Sequence, residues 1–328
     1  MLRHPLSSLK YLCVFALVGI AVIMTASSAT QAVPGIAATP EVVTTSSEAG
    51  KELTAVKAAV LGVVEGVTEF LPISSSGHLL IAERLMNIGD KPATKKAADT
   101  YTIVIQAGAI LAVLVLFWRR VIDVLKGVIG KSAEGRKLFV ALILSFLPAA
   151  AIGIAGESGI KKHLLEPIPV AIAWIVGALA ILVVGSKLHE RGKTIGRNIT
   201  DITARDAIII GFAQALALWP GTSRSLVTIL GALALGISLS AAVEYSFLLG
   251  LMTLGAATAK DVVSDGQHLI DTYGATNPLI GFVVAFVAAV IAVRWMVGYL
   301  QQHDLKVFAW YRLAAATAAI ALVAAGTI

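Results

Sequence analysis

Charged residues, aromatic residues and cysteine are all scarce in this chain of 328 residues. Only 14% of the residues are charged and 6% are aromatic, whereas soluble domains carry about 25% charged residues. The single cysteine, Cys13, excludes an intramolecular disulfide and a cysteine-based zinc cluster. The net charge of +6 is modest for this length, and basic cytoplasmic loops explain it without a nucleic-acid partner.

Hydrophobic residues make up 57% of the chain, and the mean hydropathy is +0.86. Most of this apolar content is Ala, Val, Ile and Leu in long unbroken runs. Such runs exclude an outer-membrane barrel, whose strands alternate apolar and polar residues. The composition therefore predicts an all-α polytopic membrane protein.

The N-terminus has the pattern of a targeting segment. A basic start with Arg3 and Lys10 precedes the apolar run Tyr11–Met24, and small residues follow up to Ala32. This pattern predicts a signal peptide or an uncleaved signal anchor over residues 1–32, and cleavage would follow Ala29 or Ala32. Residues 33–50, rich in Pro, Thr, Ser and Ala, predict a disordered spacer before a membrane domain over residues 51–328.

Six segments are long and apolar enough to cross the hydrocarbon core, which takes about 20 residues. They are Tyr101–Trp118, Leu138–Ala155, Pro169–Ser186, Ala242–Ala259, Leu279–Gly298 and Phe308–Ala325. Two further apolar regions, Thr54–Met86 and Asp206–Leu239, are interrupted in the middle by Pro and small polar residues. Because a break at membrane depth is tolerated only inside protein or beside a wet cavity, we expect two re-entrant broken-helix hairpins.

The distribution of Lys and Arg predicts the orientation. The loops Arg119–Lys137 and Lys187–Arg205 carry six and five basic residues, which places both in the cytoplasm. The first hairpin then starts and ends outside, and the second starts and ends inside. The loop Asn87–Asp99, with three Lys, fits this arrangement less well. Two units entering from opposite faces predict an inverted repeat, with halves of about residues 51–156 and 205–328 and with breaks that meet near the midplane.

The two breaks also resemble each other in sequence. Aligning Pro72 with Pro220 pairs Ser74 with Thr222 and Ser75 with Ser223. In inverted-repeat membrane folds, the N-termini of such broken helices point at a bound anion.

Two carboxylates precede the first break on one helical face. Glu65 and Glu69 are four residues apart, and each ionised group at bilayer depth costs about 2.5–3.5 kcal/mol. A Lys or Arg on a neighbouring helix could compensate one of them. For two on one face, a divalent cation or a proton site is the stronger interpretation, and Mg²⁺ commonly binds one or two carboxylates together with phosphate oxygens.

The breaks themselves supply hydroxyls, an imidazole and a guanidinium. The candidates are Ser74, Ser75, Ser76 and His78 in the first, and Thr222, Ser223, Arg224, Ser225 and Thr228 in the second. A guanidinium matches phosphate in a bidentate manner, and histidine can act as nucleophile or as general acid and base. The alternative for Arg224 is a purely structural ion pair with Glu65 or Glu69. Together these groups predict a phosphate site inside a membrane, and hence a phosphorylated lipid as substrate.

Other polar and small residues support weaker predictions. Gln106 and Glu244 lie in spans and are expected to bond between helices. Gly62 and Gly66 have a common helix-packing spacing. At the membrane interface, we expect anchoring side chains; they are Trp118, Trp310, Tyr311 and Arg312.

Both breaks carry a family resemblance. The segment Glu65-Gly-Val-Thr-Glu69-Phe-Leu-Pro72-Ile-Ser-Ser-Ser-Gly-His78 resembles the motif E-G-x-T-E-F-x-P-[VI]-S-S-[ST]-G-H of the undecaprenyl-diphosphate phosphatase family, the bacitracin-resistance type. The segment Pro220-Gly-Thr-Ser-Arg224-Ser225-Leu-Val-Thr228 resembles its second motif, P-G-x-S-R-S-x-x-T. The likeness covers about residues 54–328. Departures at Thr102, where an acidic residue is common, and at Met252, where Pro is common, lie outside both motifs.

The resemblance implies hydrolysis of undecaprenyl diphosphate to undecaprenyl phosphate and phosphate, which recycles the lipid carrier of peptidoglycan synthesis and confers bacitracin resistance. It implies a multi-pass protein of the bacterial inner membrane whose site faces the periplasm. It also implies catalytic roles for Glu65, Glu69 and His78, a divalent cation (Mg²⁺ or Ca²⁺), and diphosphate binding by Arg224. Ser75 is either a nucleophile or a phosphate ligand.

Two other functions are weighed against this one. A lipid-phosphate flippase could use Arg224 as an anion site and Glu69 as a proton carrier, but it would not need the hydroxyls and the histidine. An intramembrane serine protease using Ser75 and His78 would leave Glu65, Glu69 and Arg224 without a role. The nucleophile, the preferred metal and the choice between monomer and homodimer stay open.

Overall fold

The computed structural model describes residues 52–328. The predicted signal segment over residues 1–32 and the predicted spacer over residues 33–50 lie outside this range.

The described residues fold into α-helices joined by short connections. The α-helices are α1 Ala55–Thr68, α2 Ser75–Met86, α3 Pro92–Leu116, α4 Trp118–Val128, α5 Ala133–His163, α6 Pro167–Ala180, α7 Ser186–Thr194, α8 Ala204–Ala215, α9 Arg224–Ala234, α10 Leu239–Tyr273, α11 Thr276–Gln302 and α12 Lys306–Ala324. A π-helical turn, Ile181–Gly185, joins α6 to α7, and 3₁₀ turns lie at Ile199–Asp201 and Leu216–Leu218. Within residues 52–328 the only β-type pairing is one bridge, between Arg197 and Ile237.

Six stretches of the described chain are long and apolar enough to cross a membrane. They are Pro92–Leu116, Ala133–Gly156, Pro167–Thr194, Leu239–Tyr273, Thr276–Gln302 and Lys306–Ala324. Each matches one of the six predicted spans, so that prediction is confirmed. The first ends two residues early because Phe117 leaves helical geometry (φ −106°, ψ 22°) and α4 begins at Trp118.

Both interrupted regions form pairs of short helices. Helix α1 packs against α2, and α8 packs against α9. The residues between α1 and α2 together with the first turn of α2, residues 69–78, are called break 1 below, and the residues between α8 and α9 together with the start of α9, residues 216–228, are called break 2. The largest apolar cluster contains Phe70 and Leu71 of break 1 and Leu226 of break 2. The Ser225 hydroxyl also donates to the Leu71 carbonyl oxygen at 2.9 Å, so the two breaks lie next to each other.

The tightest helix packing seats α1 against α11. A Cβ built on Gly62 would lie 2.5 Å from the Gly281 carbonyl oxygen, and one on Gly66 would collide with the Ala285 carbonyl oxygen. The predicted packing role of this glycine pair is therefore confirmed. The two glycines let the backbones of α1 and α11 come into contact, and Glu65 lies on a different face of α1 from that contact.

Candidate active site

Each break contains a serine with the same unusual backbone. Ser74 has φ 74° and ψ 104°, and Ser223 has φ 75° and ψ 111°; each is the residue just before a helix. The two hydroxyls also make matching contacts two residues ahead, Ser74 with Ser76 at 3.2 Å and Ser223 with Ser225 at 3.0 Å. Positive φ is costly for a residue with a Cβ, so its occurrence at both positions marks a shared local design.

This backbone match corrects the alignment of the two breaks. Ser74 corresponds to Ser223, not to Thr222, and Ser75 corresponds to Arg224. The pairing by proline was wrong by one residue because break 2 has an extra residue between its proline and its capping serine. Gly221, at φ 96°, accommodates part of that longer path.

The centre of the site is a carboxylate that joins both breaks. One oxygen of Glu69, Oε1, accepts a hydrogen bond from Arg224 Nη2 at 2.9 Å, and the other, Oε2, accepts one from the Ser75 hydroxyl. Arg224 Nη1 donates to the Ser246 carbonyl oxygen at 3.0 Å, and its guanidinium lies 5.5 Å from the Phe70 ring centroid. The predicted neighbours Glu69, Ser75 and Arg224 are therefore brought together, and the pairing of Arg224 with Glu69 is present.

Glu65 lies one turn earlier on α1 and is fully buried. Neither of its carboxylate oxygens has a hydrogen-bond partner among the described residues. Its charged neighbours are Glu69, Arg224 and Glu83. A buried carboxylate in this state needs a proton or a cation, because desolvation of an unpaired charge is expensive.

The donor set suits a hard cation that a substrate phosphate helps to bind. Glu65 and Glu69 offer two carboxylates, and Mg²⁺ or Ca²⁺ prefers such oxygen ligands. Within residues 52–328 no group of three or more His, Cys, Asp or Glu side chains is arranged to hold a metal on its own. The two orphaned oxygens of Glu65 are the feature of this structure that fits the cation.

His78 lies on α2 but bonds away from the carboxylates. Its Nδ1 lies 2.7 Å from the Ser74 carbonyl oxygen, and its Nε2 lies 2.8 Å from the Tyr311 hydroxyl. Because a carbonyl oxygen only accepts, Nδ1 carries the proton and the neutral Nε2 accepts from Tyr311. Among the described residues, His78 makes no hydrogen bond to Ser75, which removes the pairing that a serine protease of this kind would use.

Three hydroxyls of break 2, those of Ser223, Ser225 and Thr228, are occupied by protein partners. Ser223 and Ser225 donate to the Leu71 carbonyl oxygen of break 1, at 3.4 and 2.9 Å, and both are buried. Thr228 contacts the Ser246 hydroxyl at 2.7 Å and donates to the Arg224 carbonyl oxygen at 2.8 Å. These groups join the two breaks in this structure.

The hydroxyls of break 1 are more accessible. Ser76 is exposed and Ser75 is half-buried, whereas Ser74 is buried. Thr222 of break 2 is half-buried as well. The accessible side of the site is therefore lined mainly by break 1 and completed by Arg224.

A second arginine donates hydrogen bonds to the backbone of both breaks. Arg312 is fully buried and donates to the carbonyl oxygens of Pro72 in break 1 (3.3 Å) and Gly221 in break 2 (2.9 Å). It also donates to the carbonyl oxygens of Ala173 and Trp174 on α6, at 2.9 and 3.1 Å. No carboxylate in the described chain lies within ion-pair distance of it. The prediction that Arg312 anchors at the interface was wrong.

Similarity to known proteins places these features in a family. The sequence profile of the family described as bacitracin resistance protein BacA matches residues 58–318. The chain belongs to this family. It is 45% identical to undecaprenyl-diphosphatase 2 of Rhodospirillum rubrum over 79% of this chain and 91% of that protein. It is 42% identical to undecaprenyl-diphosphatase of Sorangium cellulosum, over 78% of this chain and 82% of that protein.

The match to the BacA family covers both breaks and all the site residues described above, and it confirms the family predicted from the motifs. Two contacts of the site are not predicted from the sequence. Tyr311 and Arg312 are predicted as interface anchors, but Tyr311 contacts His78 and Arg312 contacts Pro72. The partners are 233 residues apart in the first pair and 240 residues apart in the second. The available signal was an arginine inside an apolar span, which is costly unless it is paired.

Two other residues for which the sequence supports a prediction are Glu244 and Trp310. Glu244 on α10 accepts a hydrogen bond from Arg120 on α4 at 2.6 Å, so its predicted bond between helices is confirmed. Trp310 is 63% exposed, as an interface anchor would be.

Proposed function

We propose that this protein hydrolyses undecaprenyl diphosphate to undecaprenyl phosphate and inorganic phosphate. The observation that carries the proposal is the junction of Glu69, Ser75 and Arg224 where the two breaks meet. It places a carboxylate, a hydroxyl and a guanidinium together within a membrane protein, as hydrolysis of a lipid diphosphate requires. The relatives named undecaprenyl-diphosphatase support the same substrate. The consequences would be recycling of the carrier lipid for peptidoglycan synthesis and resistance to bacitracin.

We further propose that the two helix pairs are re-entrant hairpins of an inverted repeat that meet near the bilayer midplane. The matched backbone at Ser74 and Ser223 supports this, as does the opposite side of entry predicted from the basic loops. The site would face the periplasm of an inner-membrane protein. The three lysines of the loop 87–99 weigh less against this orientation because two of them pair with aspartates, Lys95 with Asp99 at 3.1 Å and Lys96 with Asp265 at 2.6 Å.

In the proposed first step, the Ser75 hydroxyl oxygen attacks the terminal phosphorus and its proton passes to Glu69. The phosphoanhydride bond breaks, and undecaprenyl phosphate leaves with the electron pair of that bond. Water then hydrolyses the phosphoserine and releases inorganic phosphate. The hydrogen bond that the Ser75 hydroxyl donates to Glu69 supports this order of proton movement.

The remaining groups bind and orient the diphosphate. Arg224 would exchange part of its bond to Glu69 for the phosphate oxygens and stabilise the negative charge that develops there. Ser76 and Thr222 would add hydroxyl donors from each break. His78, one turn after Ser75 on α2, would move a proton through Nε2 during release of the product.

Glu65 and Glu69 would hold the divalent cation, Mg²⁺ or Ca²⁺. A bound cation there would withdraw charge from the diphosphate and neutralise the two carboxylates. Metal dependence is therefore expected, and a chelator should lower turnover.

The test is release of phosphate from undecaprenyl diphosphate by the protein purified in detergent, with Mg²⁺, Ca²⁺ or chelator. Glu69→Gln and Arg224→Ala should each lower kcat/KM on the order of a hundredfold. Glu166→Ala, which removes an exposed carboxylate paired with Arg84, is the matched control and should keep wild-type turnover. Thermal unfolding of each variant separates loss of chemistry from loss of fold.

Two results would contradict the proposed function or the proposed mechanism. Wild-type protein that is folded and releases no phosphate would favour transport of the lipid phosphate, with the same residues as a binding site. Ser75→Ala protein that keeps its turnover would exclude Ser75 as the nucleophile and leave water or His78.

A further inference from the structure

An apolar groove runs along the outside of the protein beside the site. It lies between α1, α11 and α12, has a volume of about 800 Å³, and is lined by aliphatic and aromatic side chains. Val63 and Val67 form its wall on α1, and Val287 and Trp295 form its wall on α11. Break 1 and Tyr311 close the side nearest to the site.

The groove results from the packing of α1 on α11. Gly62 and Gly66 let the two backbones approach closely, and the larger valines beside the glycines remain at the rim. Val63 is 47% exposed and Val287 is 49% exposed. The groove is therefore open toward the side of the molecule where helices α11 and α12 would meet lipid.

Helix α1 separates this groove from the carboxylates. Val63 and Val67 precede Glu65 and Glu69 by two positions, a rotation of about 200° around the helix axis. One face of α1 thus presents acid to the interior and the opposite face presents valine to the groove. The two faces come together only at the end of the helix, where break 1 begins.

Tyr311 is the physical link between the groove and the site. Its ring lines the groove, and its hydroxyl donates to His78 Nε2 at 2.8 Å. The Tyr311 and His78 rings are also stacked, with centroids 5.5 Å apart. A molecule with a polar end at His78 and Ser75 could therefore pass Tyr311 and continue into apolar surroundings without crossing a charged group.

We propose that this groove binds the part of the prenyl chain nearest to the diphosphate, so that the substrate bends around the end of α1. The proposal rests on the function proposed above. An occupant with a flexible hydrocarbon chain is favoured because the groove is lined almost entirely by apolar side chains and reaches the headgroup site at Tyr311. Its volume lies within the ~300–1,000 Å³ typical of small-molecule sites, so it holds a segment and leaves the rest of the chain in the bilayer.

The first test compares a long and a short substrate in one detergent, undecaprenyl diphosphate and isopentenyl diphosphate, whose single isoprene unit is too short to extend along the groove. Val287→Trp fills the groove and should lower the ratio of kcat/KM for the long substrate to that for the short one by about tenfold, because the buried chain loses apolar contact. Val176→Trp is the matched control, since Val176 on α6 is 54% exposed and lies outside the groove. A ratio that is the same in Val287→Trp, Val176→Trp and wild-type protein would overturn the proposal.

The second test does not depend on turnover. A prenyl phosphate with a photoreactive group on its chain should label α11 and α12 next to the groove, and undecaprenyl phosphate should compete with it. Equal competition by phosphatidylethanolamine would make the groove an ordinary lipid contact and overturn the proposal. If wild-type protein releases phosphate from neither substrate, the proposed function fails, and selective competition in this labelling still decides whether the groove binds prenyl chains.

Discussion

At the scale of single residues, the site depends on small side chains as much as on charged ones. A Cβ on Gly250 of α10 would overlap Arg224 Nη1, and a Cβ on Gly177 of α6 would overlap Arg312 Nη2. Each arginine therefore lies in a space that only glycine leaves open. The two guanidiniums differ in their partners, because Arg224 meets a carboxylate and Arg312 meets carbonyl oxygens alone.

Gly250→Ala should displace the Arg224 guanidinium from Glu69. We expect kcat/KM for undecaprenyl diphosphate to fall at least about tenfold, since a small misplacement of a positioning group is costly in catalysis. Gly255→Ala on the same helix is the matched control, because a Cβ there meets no atom within 4 Å. Equal activity of the two variants would show that Arg224 tolerates the shift.

Arg312→Lys should weaken the connection between the breaks. A lysine ammonium cannot reproduce the planar donor set that reaches four carbonyl oxygens, and each buried carbonyl left without a donor costs about 1–3 kcal/mol. We expect a lower midpoint of thermal unfolding together with lower turnover. Arg84→Lys, at a partly exposed ion pair with Glu166, should change neither. Wild-type stability and turnover in Arg312→Lys would contradict the role assigned to the guanidinium.

At the scale of helices, the sequence predicts the spans and the breaks but does not predict how the two breaks contact the rest of the protein. The six spans could be predicted because the length of an apolar run is a property of the chain alone. The two breaks could be predicted because Pro72 and Pro220 interrupt such runs. The correspondence of Ser74 with Ser223 could not, since it depends on backbone angles that the sequence does not mark. The contacts of Arg312 are to carbonyl oxygens, which every residue carries, so no motif identifies them.

The start of α8 supports a prediction on pH. Asp206 lies in its first turn, outside the six spans, and accepts hydrogen bonds from Arg197 Nη1 at 2.7 Å and from the Thr203 backbone at 2.9 Å. The Arg197 guanidinium is the main reason that the pKa of Asp206 falls from 3.8 to about 2. Because the pKa is lower in the folded state, the stabilisation is complete above the ordinary value and disappears as the pH falls through about 2.

This dependence can be measured as the midpoint of thermal unfolding in detergent across the acidic range. The wild-type midpoint should fall as Asp206 becomes protonated, and Asp206→Asn should start lower and lack that part of the fall. A variant profile parallel to that of the wild-type protein would show that Asp206 does not contribute to the acid sensitivity.

At the scale of the whole molecule, the site belongs to neither break alone. Break 1 supplies Glu69 and Ser75, and break 2 supplies Arg224. Hydroxyls of break 2 bind the backbone of break 1 at Leu71, and Arg312 near the C-terminus binds both breaks. A membrane protein assembled in this way needs both helix pairs in place before any of its chemistry is possible.

The most direct test of this account is a double-mutant cycle on kcat/KM for undecaprenyl diphosphate with Glu69→Ala, Arg224→Ala and the double variant. Residues that act as one unit lose most of their effect with the first substitution. We predict that each single variant loses on the order of a hundredfold and that the double variant is about as active as either single one. Losses that multiply in the double variant would contradict a single site built from both breaks.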